Sequence, residues 1–232
     1  MTARQIAAVL FGYLLLFTSC IIVVDDKGLS WREDSVKGSG TRVEESRDVG
    51  SFHAVELSVP AEVRVEIGDA SSVSLSGDDN LLPLVKTEIR SGKLVITDPR
   101  GTNLRFRKKL DVHIVTPELS RFEVEGSGDV EVLGLQGERF HASIEGSGTI
   151  IAAGTVDTLK ATIEGSGDLK LENLRAREAS VSIEGSGDIG VHVTEELRYS
   201  IEGSGDIRYE GTPHVSGGIS GSGSVRQRKL RS

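Results

Sequence analysis

The chain has few of the residues on which disulfide-linked folds, thiol enzymes and sugar-binding grooves depend. Only one of its 232 residues is cysteine, and aromatic residues make up 4%. The single cysteine, Cys20, can form no disulfide within the chain, and it leaves no thiol for a nucleophile or a zinc ligand in the remainder. The scarcity of aromatic side chains also argues against a groove that stacks sugar rings on aromatic platforms.

An excess of positive charge and a long helical pattern are absent too. The formal net charge is −8, whereas a nucleic-acid surface needs a basic stripe. No long helical period of apolar residues follows residue 24. The five histidines share no position in the repeat described below: His53, His113, His141, His192 and His214. We therefore expect no nucleic-acid partner, no histidine metal site and no cofactor.

The second half of the chain repeats the sequence Glu-Gly-Ser-Gly-Asp or a close variant six times. The first glycines are Gly126, Gly146, Gly165, Gly185, Gly203 and Gly221, and the second glycines are Gly128, Gly148, Gly167, Gly187, Gly205 and Gly223. The spacing between successive first glycines is therefore nearly constant along the array. A period this regular indicates a repeat array, in which each unit buries its apolar face by stacking on its neighbours.

Apolar residues alternate with polar ones on both sides of each glycine pair, which predicts strand, turn and strand. Two residues before the first glycine come Val124, Ile144, Ile163, Ile183, Ile201 and Ile219; four residues after it come Val130, Ile150, Leu169, Ile189, Ile207 and Val225. About 19 residues are too few for a strand and a crossover helix. The repeat therefore predicts an all-β fold, a parallel β-helix-like solenoid in which each coil adds one residue to each internal column and the glycines turn the corner.

Acidic residues flank the glycines and would also stack. The preceding column is Glu125, Glu145, Glu164, Glu184 and Glu202, and the following one contains Asp129, Asp168, Asp188 and Asp206, with Thr149 in place of one aspartate. Repulsion between solvated charges about 5 Å apart is roughly 1 kcal/mol, less than the burial of an Ile or Val contributes. We interpret these columns as a solvated acidic edge, with divalent-cation bridging of the glutamate or the aspartate column as the alternative.

The N-terminal segment, residues 1–24, has the pattern of an export signal. Arg4 precedes an apolar run from Ile6 to Phe17, and small residues lead to Cys20, as in a secretory signal and resembling the lipobox of bacterial lipoproteins. Lipidation of Cys20 is the favoured interpretation. An uncleaved membrane anchor over residues 6–24 and ordinary cleavage stay open. Residues 25–40 are expected to form a tether.

Residues 41–117 contain further strand patterns, including a hairpin across Ser91-Gly92. The order of Gly38-Ser-Gly40, the segment Gly77-Asp-Asp-Asn-Leu81 and the later glycine coils resembles the head GIN domain family, described as autotransporter adhesins. The resemblance covers residues 38–228. It implies a right-handed, β-helix-like fold over 41–228, divided into 41–117 and the coils at 118–228. It also implies a cell-envelope setting and no catalytic residues.

We therefore expect a non-catalytic, exported protein that is anchored to the membrane in the bacterial outer membrane or periplasm and binds a glycan or protein of the envelope or host surface. The carboxylates recur identically from coil to coil, whereas a catalytic site would break the pattern at one coil. Two alternatives stay open. One is a structural envelope protein that forms homo-oligomers, and the other is a carbohydrate-active enzyme on a β-helix scaffold.

Overall fold

The computed structural model describes residues 23–25, 28–30, 34–99 and 102–228. Within these ranges the chain is all-β, with one 3₁₀ turn at Leu82–Leu84 and no α-helix. The strands of the first part are β1 Val23–Asp25, β2 Gly28–Ser30, β3 Asp34–Lys37, β4 Arg42–Arg47, β5 Ala54–Leu57, β6 Glu62–Ile67, β7 Ser72–Asp78, β8 Lys86–Arg90, β9 Lys93–Thr97, β10 Thr102–Arg105 and β11 Asp111–Thr116. Those of the second part are β12 Arg121–Gly126, β13 Asp129–Gly146, β14 Thr149–Gly165, β15 Asp168–Gly185, β16 Asp188–Gly203, β17 Asp206–Glu210, β18 His214–Gly221 and β19 Ser224–Gln227.

The long strands β13 to β16 wind into a solenoid of about five turns, which confirms the fold class predicted from the repeat. Side A contains the residues before the glycine corner, where β5, β12, β13, β14, β15, β16 and β18 pair in parallel. Side B contains the residues after the corner, where β6, β13, β14, β15, β16, β17 and β19 pair in parallel. Side C is formed by Leu135–Glu138 of β13, Gly154–Asp157 of β14, Leu174–Arg177 of β15 and His192–Glu195 of β16.

The predicted apolar columns line the interior. Ile144, Ile163, Ile183 and Ile201 stack in register on side A and are fully buried. A further buried column on side A, which the sequence reasoning did not identify, consists of Phe140, Leu159, Ala179 and Leu197. Because burial of each large aliphatic side chain contributes roughly 1.5–3 kcal/mol, these columns are the main source of the stability of the stack.

Side C absorbs the differences in coil length. The pairing register shifts between Val132 and Leu135 in β13, and between Ile151 and Gly154 in β14. These shifts lie away from the glycine corner, where the pairing continues without interruption through Gly126, Gly146 and the later first glycines. Coils of different length therefore keep the same corner.

The first part of the chain adds antiparallel strands to the N-terminal end of the stack. On side B, β11 pairs in parallel with β6 and antiparallel with β7, which pairs with β4. On side A, β9 pairs with β5 and forms the expected hairpin with β8 across Ser91 and Gly92. Both turn residues have positive φ, 51° and 78°, as a two-residue hairpin loop requires.

A buried carboxylate joins three separate segments of this first part. The side chain of Asp78 is fully buried, and its oxygens accept backbone N–H groups from Gly40 at 2.6 Å, Arg107 at 2.7 Å and Lys108 at 3.0 Å. Burial alone would raise the pKa of Asp78. The three N–H donors and the charge of Arg107 outweigh burial and hold this pKa below its ordinary value of 3.8.

The neighbouring asparagine completes this clamp, which we define as Asp78, Asn80 and the backbone that they bind. The Asn80 side chain accepts the Ser39 N–H at 2.8 Å and donates to the Lys37 carbonyl at 2.9 Å. Gly38 has no room for a side chain, because an added Cβ would lie 2.1 Å from the Asp78 carboxylate. The two glycine-containing motifs that carried the family resemblance therefore contact each other.

The segment expected to be a tether, residues 25–40, is partly built into the fold. Asp34–Lys37 forms β3, which pairs in parallel with β10, and Gly38 is bonded through its N–H to the Arg105 carbonyl at 2.9 Å. The sequence reasoning treated these residues as linker because they are polar and contain glycine and serine. Their strand pairing instead depends on β10, which follows β9 and is therefore distant in the sequence.

Candidate functional site

The two glycines of each corner serve different physical needs. The first glycines, from Gly126 to Gly221, have φ values between +109° and +131°, which lie in a region that residues with a Cβ rarely adopt. The second glycines, from Gly148 onward, are needed for space, because an added Cβ would lie 2.2–2.6 Å from the carbonyl oxygen of the glycine one coil earlier.

The serine between the glycines ties successive corners together. Its backbone N–H donates to the carbonyl oxygen of the first glycine one coil earlier, and the distance is 2.8 Å at Ser147, Ser166, Ser186, Ser204 and Ser222. An added Cβ on each first glycine from Gly146 onward would lie 2.1–2.4 Å from this same oxygen. The repeated motif therefore forms a close backbone stack, and its glycines are structural.

The glutamate column runs along the outside of the corner. Glu125, Glu145, Glu164, Glu184 and Glu202 pair in register and are all exposed. Exposure lets their side chains spread into solvent, which weakens the repulsion between neighbours. The column is thus an acidic edge that follows the solenoid axis.

The aspartate column on side B is partly neutralised by its own neighbours. Asp168 lies 3.8 Å from the Lys170 ammonium, and Arg208 lies 3.0 Å from Asp188 and 3.8 Å from Asp206. The Ser224 hydroxyl and N–H donate to Asp206 and lower the pKa of its carboxyl. Asp129 is separated from the other three by Thr149.

The described residues hold no group of three or more histidine, cysteine or acidic side chains arranged to bind a metal ion. Two of the histidines lie on different sides of the solenoid: His113 lies 3.7 Å from Glu66 on side B, and His141 lies on side A. The pKa of His141 is lowered to about 4 by burial and by the charges of Arg121 and Lys160, so this side chain is neutral at neutral pH.

The four aromatic side chains of the coils point toward the core. Phe122 and Phe140 are fully buried, while Tyr199 and Tyr209 are half-buried and pack against the hydrophobic core. They offer no flat exposed platform for a sugar ring. Cys20 and the rest of the proposed export signal before Val23 lie outside the described residues. No helix in the described ranges is long and apolar enough to cross a membrane.

A concave surface lies on side B where the antiparallel strands meet the parallel stack. We call it the sheet groove. Its volume is about 910 Å³. It is lined by charged and polar residues of β4, β6, β7, β11 and β13, by Val63, Val112 and Val130, and by Thr149 and Ile151 of β14. Sequence reasoning missed this groove, because its lining comes from six strands that are distant in the chain.

Paired charges cross the floor of the sheet groove. The Arg64 guanidinium lies 2.7 Å from the Glu131 carboxylate, and Arg42 pairs with Asp111. Glu44 and Glu62 add further carboxylates, and Ile151 exposes 37% of its surface. The groove therefore offers hydrogen-bond donors, acceptors and an exposed apolar side chain at Ile151 on one sheet, which suits recognition of a polar ligand.

Comparisons with known proteins agree with this architecture. The model of a family described as "Putative auto-transporter adhesin, head GIN domain" matches residues 51–213, which confirms the resemblance seen in the glycine motifs. A solved structure of a "putative adhesin" from Bacteroides fragilis has a TM-score of 0.67 and 20% identity, covering 83% of this chain and 100% of its own. A "Putative lipid binding protein" from Parabacteroides distasonis has a TM-score of 0.57 and 25% identity, covering 85% and 100%. No curated protein matches the chain.

Proposed function

Because the chain belongs to the head GIN domain family, we propose that it is a non-catalytic, exported protein that uses the sheet groove to bind a ligand at the cell surface. The adhesin-like family indicates an extracellular or cell-envelope setting. The observation that carries the proposal is the groove itself, a concavity of about 910 Å³ that combines charged, polar and apolar residues on one sheet. A glycan or a protein segment of the envelope or host surface is the proposed class of ligand.

The charges of the groove favour a ligand rich in hydroxyl or amide groups. Arg64 and Glu131 already form an ion pair with each other, at 2.7 Å. A ligand with a single strong charge would therefore have to displace one of the two side chains. Hydroxyl and amide groups can both donate and accept hydrogen bonds without breaking this pair. Such neutral polar groups are common to sugars and to extended peptides.

The absence of catalysis is part of the proposal. Glycoside hydrolysis needs two carboxyl groups at a set separation with different proton affinities. The aspartates at the corner repeat from coil to coil, and Asp168 and Asp188 each lie beside a cation. In the groove, Asp111 and Glu131 are held in ion pairs with Arg42 and Arg64. Carboxylates that are paired in this way support a scaffold for binding.

The test measures binding of the full chain, kept in an uncharged detergent, to purified envelope polysaccharide and to host-surface glycoprotein. The double variant Arg64→Ala/Glu131→Ala removes the ion pair in the groove. The matched control Arg177→Ala/Glu195→Ala removes an exposed ion pair of similar length, 2.9 Å, on side C. We expect the first variant to weaken binding about tenfold and the second to leave it unchanged. Equal affinity of both variants and the original chain would refute the groove as the binding surface.

Membrane attachment through Cys20 completes the proposed setting in the outer membrane or periplasm. The support comes from the sequence, in which small residues and a cysteine follow an apolar run. Labelling with a radioactive fatty acid, applied to the original chain and to Cys20→Ala, tests it. We expect label only in the original chain. Equal labelling of both would eliminate lipidation and leave an uncleaved anchor or ordinary cleavage.

A further inference from the structure

A second concave surface lies where side C meets side A in the first coils, and we call it the side A cavity. Its volume is about 640 Å³, which is within the range of small-molecule sites, about 300–1,000 Å³. Residues of β12, β13 and β14 form it, and Arg121, Arg139 and Lys160 line it together with His141. It shares no lining residue with the sheet groove, which lies on side B.

The strand register stacks basic side chains along the outer face of side A at this cavity. Arg121 of β12 pairs with His141 of β13, which pairs with Lys160 of β14. Neighbouring strands are about 4.8 Å apart, so these three residues lie side by side. Arg139 is two residues from His141 on the same strand and therefore points to the same face. Because like charges in neighbouring strand positions are destabilising, this concentration of positive charge calls for a compensating interaction.

Two of the three cations have no carboxylate partner in the described part of the chain. Arg121 lies 2.9 Å from Glu123, whereas neither Arg139 nor Lys160 has a described carboxylate within 4.0 Å. Arg198, which continues the same column two coils after Lys160, is paired with a glutamate at 2.8 Å. The charges of Arg139 and Lys160 are therefore available to an anionic ligand.

The imidazole of His141 reports the positive charge of this surface. Burial and the charges of Arg121 and Lys160 lower the pKa of His141 to about 4, and the charge of Glu123 opposes this only in part. The electrostatic potential at the imidazole is therefore positive. An anion bound nearby would reduce this potential and raise the pKa of His141.

We propose that the side A cavity binds a sugar that carries an oxyanion group, a sulfate or phosphate ester, and that Arg139 and Lys160 hold the oxyanion. Guanidinium and ammonium groups donate charge-assisted hydrogen bonds to such oxygens. Glu118 and Glu138 also line the cavity. Their carboxylates accept hydrogen bonds from sugar hydroxyls and repel a second anionic group. The volume of the cavity also exceeds that of a single oxyanion, which leaves room for the sugar ring.

The test measures binding of glucose 6-sulfate, glucose 6-phosphate and glucose to the full chain, by calorimetry in an uncharged detergent without a sugar headgroup. Arg139→Gln/Lys160→Gln removes the two available cations. Lys170→Gln/Arg198→Gln is the matched control, because it removes the same charges from exposed positions outside the cavity. We expect the original chain to bind at least one ester and not glucose. We expect the first variant to weaken this binding about tenfold or more and the control to leave it unchanged.

The titration of His141, followed by nuclear magnetic resonance, provides a second measurement. The ester that binds should raise the pKa of His141 from about 4, whereas glucose should not, and His141→Gln identifies the signal. The ester that binds more tightly identifies the oxyanion as sulfate or phosphate.

Failure of both esters to bind would overturn the proposal. So would an equal loss of affinity in the two double variants, or an unchanged pKa of His141 with an ester bound. Free sulfate or phosphate that binds as tightly as its ester would refute the sugar as the ligand.

Discussion

Residues 121–228 repeat one set of contacts from coil to coil, whereas residues 34–116 are joined by contacts that each occur once. In the coils, every corner from Gly146 onward has the same close approach of glycine backbones and the same serine hydrogen bond. In the first part, the carboxylate of Asp78 alone binds backbone groups of three residues from two segments. A substitution in one coil should therefore reduce stability less than a substitution that removes the clamp of the first part. The exception is a substitution that prevents the coils from stacking.

The largest expected effect tests the stacking of the corners. Gly185→Ala combines a φ of +128° with a Cβ that would lie 2.1 Å from the Gly165 carbonyl oxygen. We expect it to reduce the free energy of unfolding by roughly 3–5 kcal/mol, from backbone strain and overlap together. Thermal or denaturant unfolding measures the loss.

Gly126→Ala is the matched control for this substitution. Gly126 has a φ of +109°, but nothing lies within 4 Å of an added Cβ, because it belongs to the first corner of the series. We expect backbone strain alone to reduce the free energy of unfolding, by about 1–2 kcal/mol. If the two substitutions reduce the free energy of unfolding equally, the close approach of successive corners does not require glycine, and steric overlap does not explain the first glycines.

The next effect concerns the clamp in the first part. Asp78→Asn replaces one oxygen that accepts backbone N–H groups with an NH₂ group that cannot. Because hydrogen bonds to a charged group contribute roughly 1.5–3 kcal/mol each, we expect a loss of roughly 2–4 kcal/mol. Asp79→Asn, at an exposed neighbour whose carboxylate accepts the Ser39 hydroxyl at 2.5 Å, should cost less than about 0.5 kcal/mol. Similar losses for both would show that the clamp adds little.

The same carboxylate predicts how stability depends on pH. The pKa of Asp78 in the folded protein lies below its ordinary value of 3.8, so its contribution is complete above that value and is lost as the pH falls toward the folded pKa. The difference in stability between the original chain and Asp78→Asn should therefore be constant from about pH 5 to pH 8 and shrink below about pH 4. A difference that grows on acidification would contradict the sign of this pKa shift.

The smallest expected effect concerns the acidic edge. Glu164 lies between Glu145 and Glu184 in register, so Glu164→Gln should stabilise the protein by a few tenths of a kcal/mol at low salt, with the gain lost near 1 M salt. Glu195→Gln is the control, since Glu195 accepts two hydrogen bonds from Arg177, and its loss should be slightly destabilising. A destabilised Glu164→Gln would indicate that the column binds a counter-ion.

The periodic part of the fold could be predicted because its contacts join residues of the same type at the same place in each repeat. Ile144 and Ile163 share a distance from their glycines, and this is visible in the sequence. Side C escaped prediction because its buried residues Val156, Ala176 and Val193, which pair in register, lie at different distances from the preceding glycine. Alignment of the repeats on the glycine does not superpose these residues, although they are as well buried as the columns near the corner.

The clamp and the sheet groove escaped prediction for another reason. Asp78 binds backbone N–H groups 29 to 38 residues away, and a backbone group leaves no mark in the amino-acid sequence. The sequence contained the clamp only as a family motif without a physical role. In the groove, Arg64 and Glu131 are 67 residues apart, and only the parallel pairing of β6 with β13 brings them together.

The register shifts on side C have a consequence for how the molecule changes length. Because coils of unequal length share one corner, duplication or deletion of a whole coil preserves every column on both sides of the joint. Each such event lengthens or shortens the protein by one strand spacing, about 4.8 Å. Duplication of a coil in the gene can thus change the length of the solenoid in discrete steps, without the addition of a new domain.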